Sequence, residues 1–224
     1  MFESIKLSDI PKKHSGKLRE PSTTRPTLWV IEENGLKAVI KDFSSNGFLF
    51  RNIIGRFLVW REGKAYRRLK GLKGVPTLYR SLHGLALIIE EIPGKDLEKL
   101  EKGTRLSDDF FKELRSLVED VHRRGLIHGD LKRAPNVLLG NDGKPYLLDW
   151  AASVSKREFR FFPFNIVYQR LVEDDLNAII KRQLIHCPES VSPEAKRRYT
   201  HRSPAEKLVR ALWNKALKIL KQIA

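Results

Sequence analysis

The chain is short of cysteine, of acidic residues relative to basic ones, and of long apolar runs. Its single cysteine, Cys187, excludes an internal disulfide and a zinc cage built from thiolates. Apolar runs such as residues 85–89 fall far short of the ~20 residues a membrane-crossing helix needs. The first residues, Met-Phe-Glu-Ser-Ile-Lys, lack the charged-then-apolar order of a secretory leader. A cytoplasmic protein is the expectation. Glycine is scarce where a phosphate-cradling loop would need it: residues 14–30 hold only Gly16, so no Gly-x-Gly-x-x-Gly is formed there.

At 224 residues, with 41% hydrophobic and 31% charged side chains, the chain is long enough to bury a core. The formal net charge is +16, and it is unevenly spread. Residues 51–73 carry eight Lys/Arg against Glu62, and residues 193–224 carry nine against Glu194 and Glu206. A field of that size draws polyanions. There are no internal repeats, and residues 8–27 are polar enough to be expected as a mobile arm.

The densest chemistry lies between residues 128 and 149. His-Gly-Asp-Leu-Lys-Arg-Ala-Pro-Asn is followed by an apolar strand, the Asn141-Asp142-Gly143 turn, and Pro-Tyr-Leu-Leu-Asp-Trp. This supplies Asp130, Lys132 and Asn136 on one loop and Asp149 at the end of the next strand. Phosphoryl transfer from a magnesium nucleotide uses such groups. A carboxylate orients the acceptor hydroxyl, hard oxygens hold the metal, and a cation offsets charge on the moving phosphoryl group. The stretch resembles the catalytic and metal-binding loops of the protein-kinase superfamily.

The resemblance extends upstream. Two strands around Asn34-Gly35 end in Ala38-Val39-Ile40-Lys41, similar to the family's Val-Ala-Ile-Lys. Glu62 follows at helical spacing with Tyr66 and Leu69. The resemblance implies that Lys41 binds the α/β-phosphates of ATP and that Glu62 is its ion-pair partner. Residues 85–97 resemble the last N-lobe strand and hinge. The backbone of Glu90 and Ile92 would then read adenine, and Asp96 would reach the ribose. Asp130 and Lys132 would be catalytic, and Asn136 with Asp149 would hold Mg²⁺. His128 is expected to brace the loop and not to act as a base; the other five histidines show no ligand spacing. The implied fold is α+β and two-lobed: an antiparallel-sheet N-lobe over residues 1–91, including the polar arm, and a reduced helical C-lobe over 92–224.

Several departures narrow the branch. Asp130 and Asn136 are one residue further apart than in His-Arg-Asp-Leu-Lys-x-x-Asn, Trp150-Ala151 replaces Phe-Gly, and no Ala-Pro-Glu segment follows. The backbone of Ser22-Thr23-Thr24, with Arg25, is the candidate for covering the phosphates. His128-Gly129-Asp130 is similar to the small atypical kinases, namely RIO kinases, lipopolysaccharide core (heptose and Kdo) kinases and aminoglycoside phosphotransferases. The basic helix before Gly71-Leu-Lys-Gly-Val-Pro most resembles the lipopolysaccharide-kinase and RIO-like group. Asp175, in Glu173-Asp174-Asp175-Leu-Asn-Ala, is expected as a buried anchor beneath the catalytic loop. Lys132 is typical of serine/threonine protein kinases.

Three functions follow as alternatives. The preferred one is transfer to a lipopolysaccharide-core sugar at the inner membrane face, which suits the basic surfaces. The second is a RIO-like serine/threonine protein kinase acting on an acidic or ribosomal protein, with nucleic acid a less favoured partner. The third is a pseudokinase that binds nucleotide or a partner without transfer. The C-terminal stretch has a Ser203-Pro-Ala-Glu206 cap and an apolar stripe through Leu208, Leu212, Trp213 and Leu220, predicting a basic amphipathic helix. That helix would pack on its own domain or touch anionic headgroups.

Overall fold

A computed structural model describes residues 2–20, 22–100, 103–161 and 164–200, in two compact units. The first unit is Met1–Pro93 together with Leu147–Ala152. Its elements in order are α1 (Ile10–Lys13), β1 (Gly16–Arg19), β2 (Thr27–Glu33), β3 (Leu36–Asp42), α2 (Phe48–Phe50), α3 (Arg56–Arg68), β4 (Leu78–Leu82) and β5 (Ala86–Glu90). The strands form one antiparallel sheet in the order β1-β2-β3-β5-β4. Asn34 and Gly35 adopt φ of 54° and 75°, so both centres of the two-residue turn are left-handed, as a tight hairpin between twisted strands requires.

Strand alternation decides what the sheet buries. Trp29 and Ile31 on β2 and Ala38 and Ile40 on β3 point into a core completed by Leu82, Ala86 and Ile88. The N-terminal residues belong to that core. Phe2 is 1% exposed and Ile10 is fully buried, and Gly16–Arg19 adds the first strand. The expected mobile arm is therefore corrected over much of its length. Within residues 8–27, Ile10 is buried, Gly16–Arg19 pairs with β2 and the Ser15 amide donates to the Val30 carbonyl at 2.8 Å; ahead of them the Arg80 guanidinium donates to the carbonyls of Phe2, Glu3 and Ile5 at 2.6, 2.7 and 3.3 Å. A π-helical turn, Arg51–Gly55, links α2 to α3, giving a helical run over residues 48–68. A Cβ on Gly55 would lie 3.2 Å from the Phe43 side chain, so glycine lets the helix approach Phe43, the residue after β3, closely.

The second unit is Gly94–Tyr146 with the chain from Ser153 onward. It contains β6 (Gly94–Asp96), α4 (Asp108–Arg123), β7 (Leu126–Ile127), β8 (Val137–Gly140), β9 (Pro145–Leu147), β10 (Val154–Ser155), α5 (Phe164–His186) and α6 (Pro193–Thr200). Leu147, the last residue of β9, is where the chain passes into the first unit. Ser107 caps α4 by accepting from the Phe110 amide, with Asp108 and Asp109 in the first turn. One face of α4 buries Phe110, Phe111, Leu114, Leu117, Val118 and Val121. The expected N-lobe lacks residues 147–152, which group with it here. The expected C-terminal amphipathic helix lies outside the described residues.

Candidate functional site

The first unit holds one polar centre. Alternation puts Lys41 near the end of β3, where its Nζ lies 2.6 Å from Glu62 Oε1 and 3.0 Å from Asp149 Oδ1. Lys41 and Glu62 side chains are 11% and 3% exposed, whereas Asp149 is 38% exposed. Helical phase directs Glu62 inward from α3, beside Tyr66. The amide of Trp150, a fully buried residue, donates to Glu62 Oε1 at 3.4 Å. Asp149 has φ 65°, a conformation that Asp tolerates better than most side chains and that here accompanies its ion pair with Lys41.

Two carboxylates share one ammonium, so the three groups carry a net negative charge. Burial disfavours the Lys41 cation, but Asp149 and Glu62 outweigh it and raise its pKa. Glu62 is raised by burial and by Asp149, against the opposing pull of Lys41. Burial and the same two carboxylates push the Tyr66 phenol well above its ordinary value, keeping it neutral. A cation bound on the exposed side of Asp149 would relieve the excess charge.

The second unit holds the other centre. Asp175, 2% exposed on α5, accepts the amides of His128 at 2.8 Å and Gly129 at 3.1 Å. His122 Nε2 lies 3.2 Å from the same carboxylate. The expected anchor is thus in place. His128 Nδ1 accepts the Asp130 amide at 3.3 Å, a bracing role. Asn136 Nδ2 donates to the Asp130 carbonyl at 2.8 Å and to Asp130 Oδ2 at 3.2 Å. With the nitrogen turned to Asp130, the amide oxygen is the end of Asn136 suited to a metal. The extra residue between the two is taken up by the 3₁₀ turn Ala134–Asn136, where the Asn136 amide donates to the Arg133 carbonyl.

Lys132 and Asp96 have additional partners. Lys132 Nζ pairs with Asp174 Oδ2 at 3.0 Å, and Arg170 reaches Asp174 Oδ1 at 3.3 Å. Asp96 Oδ1 accepts the amides of Glu98 and Lys99, so its carboxylate closes a local turn. Glu90 ends β5, exchanging backbone and side-chain bonds with Thr77, and Ile92 follows it in the first unit. Sequence reading named Tyr66 only as a helical neighbour of Glu62 and Asp174 only beside Asp175, and it did not single out Asn46. Buried Asn46 donates from Nδ2 to the carbonyls of Ser22 and Arg25 at 2.6 and 3.1 Å, tying together the turn those residues form. Its only sequence signal is the turn-prone Ser-Ser-Asn-Gly run.

Among the described residues, no cluster of three or more His, Cys, Asp or Glu side chains could cage a metal. Magnesium does not require such a cage, because substrate phosphates and water complete its shell. The Asp149 carboxylate, 38% exposed, is the kind of hard oxygen such a cation takes.

The five-stranded sheet, the lysine–glutamate pair and the aspartate–asparagine loop define a protein-kinase-like scaffold. A family model described as the RIO domain matches residues 48–164, just over half of the chain. The chain belongs to the RIO domain family. The structure is similar to that of the Rio2 kinase from Chaetomium thermophilum, with a TM-score of 0.59 at 15% identity, covering 89% of this chain and 64% of that one. Among curated relatives, the serine/threonine-protein kinase PknD of Chlamydia felis is 36% identical over 101 residues, 45% of this chain and 10% of that protein. The EKC/KEOPS complex subunit BUD32 of Encephalitozoon cuniculi is 30% identical over 99 residues, 44% of this chain and 48% of that protein. The chain thus spans about a tenth of PknD and about half of BUD32.

Proposed function

We propose that the chain is an ATP- and magnesium-dependent RIO-like serine/threonine protein kinase. The observation that carries the reading is Lys41 held between Glu62 and Asp149 at 2.6 and 3.0 Å. A buried ammonium fixed by one carboxylate and shared with a more exposed one is suited to a nucleotide's phosphates and its metal. Membership of the RIO family and the name of the PknD relatives favour a protein acceptor over the lipopolysaccharide sugar preferred from sequence. The net charge of +16 favours an acceptor with acidic surroundings.

In this reading the backbone of Glu90 and Ile92 takes the adenine, and Lys41 binds the α/β-phosphates. The Ser22–Arg25 turn covers the phosphates in place of a glycine-rich loop. Asn136 and Asp149 hold Mg²⁺, which supplies charge neutralisation to the phosphates. Asp130 accepts or orients the proton of the acceptor hydroxyl, in line with the γ-phosphorus. Lys132, exchanging its partner Asp174 for phosphate oxygens, offsets the moving charge. Catalysis then rests on positioning and fixed electrostatics, with no covalent enzyme intermediate.

The test offers γ-labelled ATP and Mg²⁺ with an acidic protein, a ribosomal protein fraction and purified lipopolysaccharide core as separate acceptors. Label on serine or threonine of protein supports the reading. Label on lipopolysaccharide alone would replace it with the sugar-kinase reading, and tight ATP binding with no transfer would replace it with a pseudokinase.

A further inference from the structure

The helical run 48–68 presents two different faces. Inward it places Gly55, Val59, Glu62 and Tyr66 against its own unit. Outward, Leu49, Ile53, Phe57 and Trp60 recur at helical spacing and are 72%, 62%, 48% and 52% exposed, with Phe48 beside them at 70%. Scattered exposed apolar side chains are ordinary, but five on one helical run form a patch of the kind that marks an interaction surface.

The charges around the patch identify what it fits. The run carries Arg51, Arg56, Arg61, Lys64, Arg67 and Arg68, and its one acidic residue, Glu62, is buried against Lys41. The run itself therefore contributes no carboxylate to its outward face. Cations sit directly over its rings: Arg51 on Phe48, Arg61 on Phe57 and Lys64 on Trp60, at 5.8, 5.7 and 5.1 Å from the centroids. Aromatic and aliphatic groups flanked by long cationic side chains suit the headgroup boundary of a bilayer, where rings enter and cations remain at phosphate level. Nucleic acid would use the rings and cations but has no use for Leu49 and Ile53.

We propose that the outward face of residues 48–68 docks the protein on an anionic membrane surface. The helix would lie in the interface plane with Leu49, Ile53, Phe57 and Trp60 at the boundary between headgroups and acyl chains. This is independent of the kinase reading, since docking needs no nucleotide.

The test is vesicle co-sedimentation of the full chain, using phosphatidylcholine with and without phosphatidylglycerol. Leu49→Ser/Trp60→Ser leaves the charge unchanged, and circular dichroism checks its fold. Leu208→Ser/Trp213→Ser reports on the C-terminal stretch. Wild type should bind the phosphatidylglycerol vesicles only. The Leu49/Trp60 variant should lose at least about tenfold in partitioning, the scale expected for two apolar side chains leaving an interface. The Leu208/Trp213 variant should bind as wild type does. Equal binding by the Leu49/Trp60 variant would overturn the proposal, as would loss only in the Leu208/Trp213 variant. Failure of wild type to bind vesicles, with Leu49- and Trp60-dependent capture of an acidic peptide or RNA, would assign the face to that partner instead.

Discussion

The Asp175 carboxylate accepts the backbone amide of His128 at 2.8 Å across 47 positions of chain. With Gly129 on its other oxygen, it fixes the loop that presents Asp130. Asp175→Ala leaves two amides and His122 without this acceptor in a buried place. A loss of about 3 kcal/mol in urea-unfolding stability is expected. Asp175→Asn, which keeps an acceptor but loses charge, should lose less stability and still lower kcat more than it raises KM for ATP.

Lys41 and Glu62 should be coupled. Lys41→Met leaves Glu62 buried beside Asp149 without its cation, so it should destabilise more than the double variant Lys41→Met/Glu62→Leu. Urea unfolding of the four members of that cycle gives the comparison. Either single change should reduce kcat/KM by about a hundredfold or more, because a charge-bearing phosphate contact is lost or misplaced.

Alkali should loosen the fold through the same cluster. Tyr66 and Lys41 both titrate higher in the folded state than in the unfolded chain. Above pH ~10 the unfolded chain releases protons that the folded one keeps, so stability falls as pH rises. Urea midpoints measured from pH 9 to 11 should decline for wild type and decline less steeply for Tyr66→Phe. Glu62, also raised, has the same sign at lower pH: its contribution is present below the ordinary carboxylate pKa of 4.5 and diminishes as pH climbs through the folded value.

Asn46 should matter to nucleotide affinity. Asn46→Ala removes donors to the Ser22 and Arg25 carbonyls and frees their turn. KM for ATP should rise by roughly three- to tenfold, equivalent to one or two hydrogen bonds, with a smaller change in kcat. An unchanged KM would remove that turn from the phosphate site.

The candidate residues could be picked out from sequence because they are close together in the chain or carry strict alternation. Asn34-Gly35 with Ala38-Val39-Ile40-Lys41 spells a hairpin ending in a lysine, and Asp130, Asn136 and Asp149 fall within twenty positions. Partners set by tertiary contact were not legible. Nothing local links Asp174 to Lys132, or Asn46 to Ser22, and the hydrogen bonds of Arg80 to the N-terminus span 75 to 78 positions. The arm over residues 8–27 was misjudged because buried side chains such as Ile10 near its start and Thr27 at its end are too sparse for a periodic signal. The outward patch on residues 48–68 escaped for the opposite reason: its period matches that of a core-facing stripe, and only the fold shows which face is covered.

The most direct test of the account is single-turnover transfer from γ-labelled ATP with Mg²⁺, comparing wild type with Asp130→Asn at matched ATP occupancy. Asparagine keeps the size and the contact with Asn136 but loses the carboxylate that orients the acceptor proton. Transfer slowed by at least ~100-fold with ATP binding intact is the predicted result. Transfer at the wild-type rate would contradict it.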